Sequence, residues 1–351
     1  MPRNDKIRLV LGTRDVVGWT GASVEMAIDQ VADACAFTFP LDLRLSNLRD
    51  VFVPFEYQPL KVYIDDEILL TGRAEKLAPK TDAGETTLEL QGRALPGSLV
   101  DCAVVGALEF TGLAFSTICK QVCRPFGVDV RADNDTDPID LARASYGQRA
   151  ADFLLDLARP RNLFLNSSYD GKLVISWGHD LVRRPVVASL VEGEHPLLSV
   201  AASFDGTGRF SRYIAATQFA GESSIASEVA DPGVPIYRPQ ALAVKDVSTK
   251  AVEGGAVEPD ACLAARQAMV AAIAGSVQVS ATVSGWSRPD GERWAERQMV
   301  TLRAPGAMLP VERKWLIAGA SFRLEAGSQT VDLRLVMPET YAGQAPEVLP
   351  W

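Results

Sequence analysis

The 351-residue sequence contains two histidines, His179 and His195, each beside turn-forming or charged residues and neither near a nucleophile signature. No Gly-x-Ser-x-Gly elbow occurs, so hydrolase chemistry of the Ser-His-Asp kind has no foothold in these residues. Carboxylate pairs such as Glu192 with Glu194, or Glu85 with Glu89, could flank a glycosidic bond if a fold opposed them across a cleft, but their spacing suits exposed strand or loop positions. Asp133-Asn134-Asp135-Thr136-Asp137 supplies the alternating oxygens of a calcium loop. Its sixth and twelfth positions, however, are Pro138 and Ala144, where such a loop needs glycine and a bidentate glutamate. Cys119 and Cys123 stand one helical turn apart without the second pair that structural zinc requires, and read as thiols on a helix. Gly206-Thr207-Gly208 is a turn, since no Gly-Lys-Ser/Thr follows it. Trp286 and Trp294 lie in β segments and read as core or interface anchors rather than a sugar platform. The expectation is a protein with no catalytic, cofactor-binding or metal-ligating residue, not an enzyme.

The composition supports an ordinary folded protein of two to four subdomains, with 47% apolar and 23% charged residues. Forty-four acidic against 35 basic side chains give a net charge of −9, which argues against a surface built to hold nucleic acid. The same excess suggests an acidic lining if DNA passes through the assembly. Five cysteines, Cys35, Cys102, Cys119, Cys123 and Cys262, are odd in number and too sparse for a disulfide framework, which suits a reducing cytoplasm. The opening residues show no signal-peptide core, and no apolar window reaches the roughly 18 residues of a membrane span.

The elements that must position these residues are mostly strands. Ile7–Leu11, Ala22–Ile28, Cys35–Leu43 and a hairpin over Lys61–Leu70 open the chain, the hairpin turning at Asp65-Asp66 where short acidic side chains can bond their own backbone. Asp82-Ala83-Gly84 turns into Thr86–Gln91, whose alternation marks one buried and one wet face. Helices are expected over residues 113–126, stopped by Gly127, and over 148–159, followed by a hairpin whose arms meet at Tyr169-Asp170-Gly171. Residues 205–259, rich in Gly, Ser and Pro, predict long loops with short strands around Arg212–Phe219. Asp260 can cap a helix to about Ala274. The last strands are Val277–Val283, Met299–Arg303, Lys314–Ile317, Ala320–Glu325 and Thr330–Met337.

An internal echo links the ends of the chain. Leu69-Leu70-Thr71-Gly72-Arg73-Ala74 resembles Leu316-Ile317-Ala318-Gly319-Ala320-Ser321, and Thr87-Leu88-Glu89-Leu90 resembles Thr330-Val331-Asp332-Leu333, with a four-residue difference in length between them. A duplicated β module follows as a hypothesis, and three chains of two modules each would present six similar units about one axis.

With these residues in view, the sequence resembles the baseplate hub proteins of Mu-like phages and their late-control and injection-machine relatives. The resemblance runs from Gly18-Trp19 through Tyr63-Ile64-Asp65-Asp66, Gln91-Gly92-Arg93, Leu99-Val100-Asp101-Cys102 and Pro125-Phe126-Gly127-Val128 to Gly285-Trp286, Trp294 and Leu335-Val336-Met337-Pro338-Glu339. It is weakest over residues 205–259. The resemblance implies a β-rich α+β multidomain fold, with two tube-like antiparallel β-barrel domains and smaller mixed α/β domains. On that reading residues 1–95 form the first barrel and 96–178 the mixed domain. Residues 179–217 with 276–340 form the second barrel, 218–275 an inserted loop and helix region, and 341–351 a C-terminal tail. It also implies a homotrimeric hub in the virion tail, joining a hexameric tube protein to a trimeric spike beside baseplate wedge proteins, with a channel that DNA traverses without specific binding. Alternatives are a tail-tip hydrolase of cell wall or polysaccharide, and a spike protein of a bacterial secretion machine.

Overall fold

Alternating burial defines the strands of the opening region in the computed structural model, which describes residues 6–40, 51–82, 86–132, 136, 138–217, 225–244, 260–325 and 327–346. These strands are β1 (Ile7–Leu11), β2 (Arg14–Val16), β3 (Gly21–Ala27), β4 (Ala34–Pro40), β5 (Pro59–Ile64), β6 (Glu67–Thr81) and β7 (Thr86–Ala94). Val24, Phe37, Leu60, Val62 and Leu90 point to one apolar face and are fully buried. Asp65, at φ 53°, makes the expected β5–β6 turn, and its carboxylate accepts the Lys6 amide.

The middle region has its own core. It comprises α1 (Gly97–Asp101), β8 (Glu109–Leu113), α2 (Phe115–Cys123), β9 (Val130–Ala132), β10 (Ile139–Arg143), α3 (Ala150–Ala158), β11 (Leu163–Ser167), β12 (Leu173–Trp177) and α4 (Gly178–Leu181). The helix expected over 113–126 is shorter at both ends. Leu113 pairs in β8 with Ile139 of β10, and the Thr136 hydroxyl accepts the Phe115 amide where a cap is needed. At the other end, Pro125 and Gly127, at φ 68°, convert the last turn to a 3-10 helix and stop it.

The closing region begins with β13 (Val186–Val191) and β14 (Leu197–Phe204), neither expected from the sequence. A short strand lies where one was expected, around Arg212, while residues 225–244, read as loops, depart furthest from expectation because they carry two further strands. β15 (Arg212–Thr217), β16 (Ile225–Ala230) and β17 (Pro239–Val244) form a separate sheet under α5 (Asp260–Ser276). β15, expected in the second barrel, is the middle strand of that sheet because Tyr213 and Ala215 bury completely against Ala265 of α5. Arg209 and Asp231 close the unit through a buried two-pronged ion pair, with contacts of 2.7–3.1 Å. β18 (Val277–Ser284), β19 (Met299–Ala304), β20 (Leu309–Glu325) and β21 (Ser328–Val336) follow. The two strands expected over 314–325 are one strand, β20, kinked by a bulge between Ile317 and Gly319. The chain then enters α6 (Pro338–Tyr341), where Tyr341 stacks on Phe164 at 4.7 Å rather than belonging to a free tail.

One thirteen-stranded sheet joins the opening and closing regions. Across the opening half the spatial order is β3-β4-β7-β6-β5-β1, and across the closing half it is β14-β18-β21-β20-β19-β13. Numbered by sequence within each half, with β2, which only extends the β1 edge, left out, both orders are 2-3-6-5-4-1. All of these pairings are antiparallel except β13–β19, which is parallel. The halves meet where Gly21–Ala27 of β3 pairs with Gly319–Glu325 of β20. No pairing among the described residues closes either half into a barrel, and the sheet ends in open edges.

Gly72 sits where β6 passes closest to β7. A Cβ there would run into the Arg93 carbonyl, a fixed backbone atom, whereas at Gly319 it would meet the Met26 carbonyl at 3.2 Å. Gly72→Ala is therefore expected to lower the unfolding free energy by about 1–3 kcal/mol in urea titration, and Gly319→Ala by less.

Candidate functional site

The residues with potential for chemistry are scattered. His179 is half exposed and lies 3.3 Å from Asp180, while His195 is exposed before a cis proline. Glu192 accepts the Gly306 amide at 2.8 Å, and Glu89 accepts from Gln91 at 2.7 Å, so each carboxylate has a local structural partner. Glu85, Asp133, Asn134, Asp135 and Asp137 lie outside the described residues. Cys119 and Cys123 are buried in the core of the middle region, where burial pushes the Cys123 thiol up to about 12. Trp286 and Trp294 are buried in the core shared by both halves of the sheet. Gly206-Thr207-Gly208 is a turn whose carbonyls accept from Arg238 and whose Thr207 amide bonds Asp205. No group of three or more metal-ligating side chains occurs among the described residues.

What the fold does assemble is a buried polar junction between its parts. Asp33, in the β3–β4 turn, bonds the Ser167 hydroxyl of β11 through its amide at 2.9 Å and the Ala94 amide through its carbonyl at 2.8 Å. Asn166, beside Ser167, accepts from Arg297 at 2.5 Å, and the Arg297 amide donates to Ile317 of β20 at 2.8 Å. Opening strands, middle region and closing strands are thus locked at one point. Burial, with Glu296 adding to it, pushes the Asp33 carboxyl from its ordinary value near 3.8 up to about 8, against the Ser167 and Ala27 hydrogen bonds and Arg297. Nothing in the sequence marks this acid, which reads as an ordinary turn residue between two alanines.

The second feature is the sheet itself, with its polar face and open edges. On the side away from the core, Glu25, Glu89 and Asp332 alternate with Arg93, Arg323 and Arg334, and Arg323 pairs with Asp332 at 2.8 Å. This face carries both signs of charge, and Arg93 pairs with Glu75 of the neighbouring strand β6. At one end of the sheet, β14 presents Leu198 and Phe204 at 59% and 37% exposure, with no strand beyond it among the described residues. Near β6, Phe55 and Tyr57 are exposed at 88% and 53% beside a groove that reaches Glu75, Lys76 and Leu77. Exposed apolar edges and rims of this kind mark assembly surfaces.

The two sheet halves share one strand order, and the comparisons show which known proteins the chain is similar to. Residues 96–177 match the family described as baseplate hub protein gp44-like, second domain. The chain is 24% identical over 304 residues to the baseplate hub protein gp44 of Escherichia phage Mu, covering 82% of this chain and 76% of that protein. Its fold is similar to the 43 kDa tail protein of prophage MuSo2 from Shewanella oneidensis, with a TM-score of 0.81, 23% identity and coverage of 95% and 99%. More distantly, it is similar to an E. coli component of the type VI secretion system, itself described as similar to T4 tail proteins gp27 and gp5. There the TM-score is 0.59 at 9% identity, covering 97% of this chain and 80% of that one. The chain thus resembles the Mu-like baseplate hub proteins in sequence and fold, and residues 96–177 carry the second domain of that family.

The junction yields a test by pH. Folding takes up a proton at Asp33 between about pH 4 and pH 8, so this group's contribution to stability falls as pH rises through that window. Asp33→Asn, which cannot ionise, is expected to gain on the natural protein by several kcal/mol between about pH 5 and pH 8.5 in denaturant titrations. An unchanged difference would show that Asp33 is charged in the folded state.

Proposed function

We propose that this chain is the structural hub of a phage tail baseplate, without enzymatic activity, assembled in the host bacterial cytoplasm and carried in the virion tail. The shared strand order of the two sheet halves carries the reading, together with the likeness to gp44-like hubs. Each half acts as one tube-like module, and three chains present six modules about a single axis. A sixfold tube protein can then sit above and a threefold spike below, with wedge proteins outside. The open sheet closes around the axis by joining copies, which fits the lack of a barrel-closing pairing among the described residues. DNA passes through the central channel past a face of paired charges, which gives phosphates neither a strong hold nor a strong barrier.

A second reading, the spike of a secretion machine, draws on the fold likeness to the type VI component. Head and tail genes beside this one favour the phage hub, and secretion genes favour the spike. A tail-tip hydrolase draws no support from the sequence, which has no Gly-x-Ser-x-Gly elbow, and the Asp33 carboxyl beside Glu296 is buried in the junction rather than set in a cleft.

Light scattering of the purified chain is expected to reach three times the 37.8 kDa of one chain as concentration rises. Incubation with peptidoglycan or capsular polysaccharide is expected to release no fragments. A stable dimer contradicts the threefold hub, and released fragments favour the hydrolase.

A further inference from the structure

The middle region has a core of its own, and the chain crosses between it and the sheet at two places, from β7 to α1 and from α4 to β13. A unit built this way can part from its neighbour while staying folded, because the contacts that separate are few and lie at one boundary. Two contacts hold it in place. One is the apolar cluster in which Phe164 and Leu181 pack with Ile28, Leu316 and Tyr341, and burial pushes the Tyr341 hydroxyl up, away from neutral titration. The other is the polar junction at Asp33.

The junction places two acids beside one base. Asp33 is 2% exposed, its amide donates to Ser167 of β11, and its carboxylate accepts the Ala27 amide at 3.3 Å. The Oε2 of Glu296, in the loop before β19, is buried and has no hydrogen-bond partner among the described residues. Arg297, the base of the group, donates to Asn166 of β11. The other charges on the surrounding elements have partners elsewhere. Asp29 of the β3–β4 turn pairs with Arg334, and Arg93 of β7 pairs with Glu75 and Asp101. In the β18–β19 loop Arg288 pairs with Asp290 and Arg293 with Glu67, while Lys172, in the turn after β11, pairs with Asp170. With a proton on Asp33, one acid faces one base. Without it, two acids face one base where water does not reach, and separation relieves the excess charge.

We propose that this junction is a proton-operated latch: a proton on Asp33 holds the middle region against the sheet, and loss of that proton lets the region part from the sheet with its own core intact. The direction follows from the two states of the carboxyl. Burial first, and Glu296 second, hold Asp33 up at about 8 while the latch is closed, and exposure on opening returns it toward its ordinary 3.8. Between those limits each pH unit moves the latch about tenfold toward open, and above about pH 8 the shift levels off. The latch is tightest in acid.

The test is residue-resolved hydrogen exchange of the full chain from pH 5 to pH 8, with each rate divided by the intrinsic rate at that pH. The Asp33 amide, whose partner Ser167 belongs to the middle region, reports opening. Its opening constant is expected to rise about a hundredfold from pH 5 to pH 7. It should also exceed the constants of Ile118 in the middle core and Leu90 in the sheet, which open only when the protein unfolds. Asp33→Asn keeps the oxygen that accepts the Ala27 amide and is expected to reduce that rise to less than about threefold. Glu296→Gln removes the neighbouring charge and is expected to bring the levelling-off about one pH unit lower. A pH-independent Asp33 amide in the natural chain, or an equal rise in Asp33→Asn, overturns the latch. One common opening constant for Asp33, Ile118 and Leu90 shows global unfolding and overturns the separate motion. An unchanged profile in Glu296→Gln overturns the two-acid junction.

Discussion

Gly21–Ala27 of β3 and Gly319–Glu325 of β20 bond edge to edge, and because they come from opposite ends of the chain this ladder makes two sheet halves into one. Each backbone hydrogen bond adds only about 0.5–1.5 kcal/mol, but the ladder also sets the register of the side chains it carries. Val24 and Met26 come to lie beside Ala320 and Phe322, so the apolar faces of the two halves merge into a single core. Without the join, both strands would expose unpaired edges and both cores would open on one side.

The middle region depends on this geometry. Its own core is separate, built around Phe115, Ile118, Phe153 and Leu165. It meets the sheet through the buried junction at Asp33, Asn166 and Arg297, and through an apolar cluster in which Phe164 and Leu181 pack with Ile28, Leu316 and Tyr341. The junction's bonds are polar and directional, so they fix an orientation that the apolar contact alone would let slide.

The sequence shows the local features of this design and hides the distant ones. The β5–β6 and β11–β12 hairpins were legible because alternating strands flank Asp65-Asp66 and Tyr169-Asp170-Gly171, residues with a physical reason to turn. The echo around Gly72 and Gly319 was legible as well, and its hairpins occupy the same place in the two halves. β14 was not, because Leu197–Phe204 mixes small and apolar residues without a clean period. β13 pairs in parallel with β19 more than a hundred residues away, and such a pairing leaves no turn signal. Of the small sheet under α5 only β15 was legible; β16 and β17 were hidden by the glycines and prolines around them. No period or spacing announces a carboxyl buried by long-range packing, as at Asp33.

The central claim is that one chain carries two equivalent sheet modules so that three chains can imitate sixfold order. Cryo-electron microscopy of the chain assembled in a tail tip tests it most directly. The account predicts three copies about one axis and six sheet units facing a common channel. Density in which the two halves of a chain lie at unrelated radii, or turn their polar faces away from any shared channel, would contradict it.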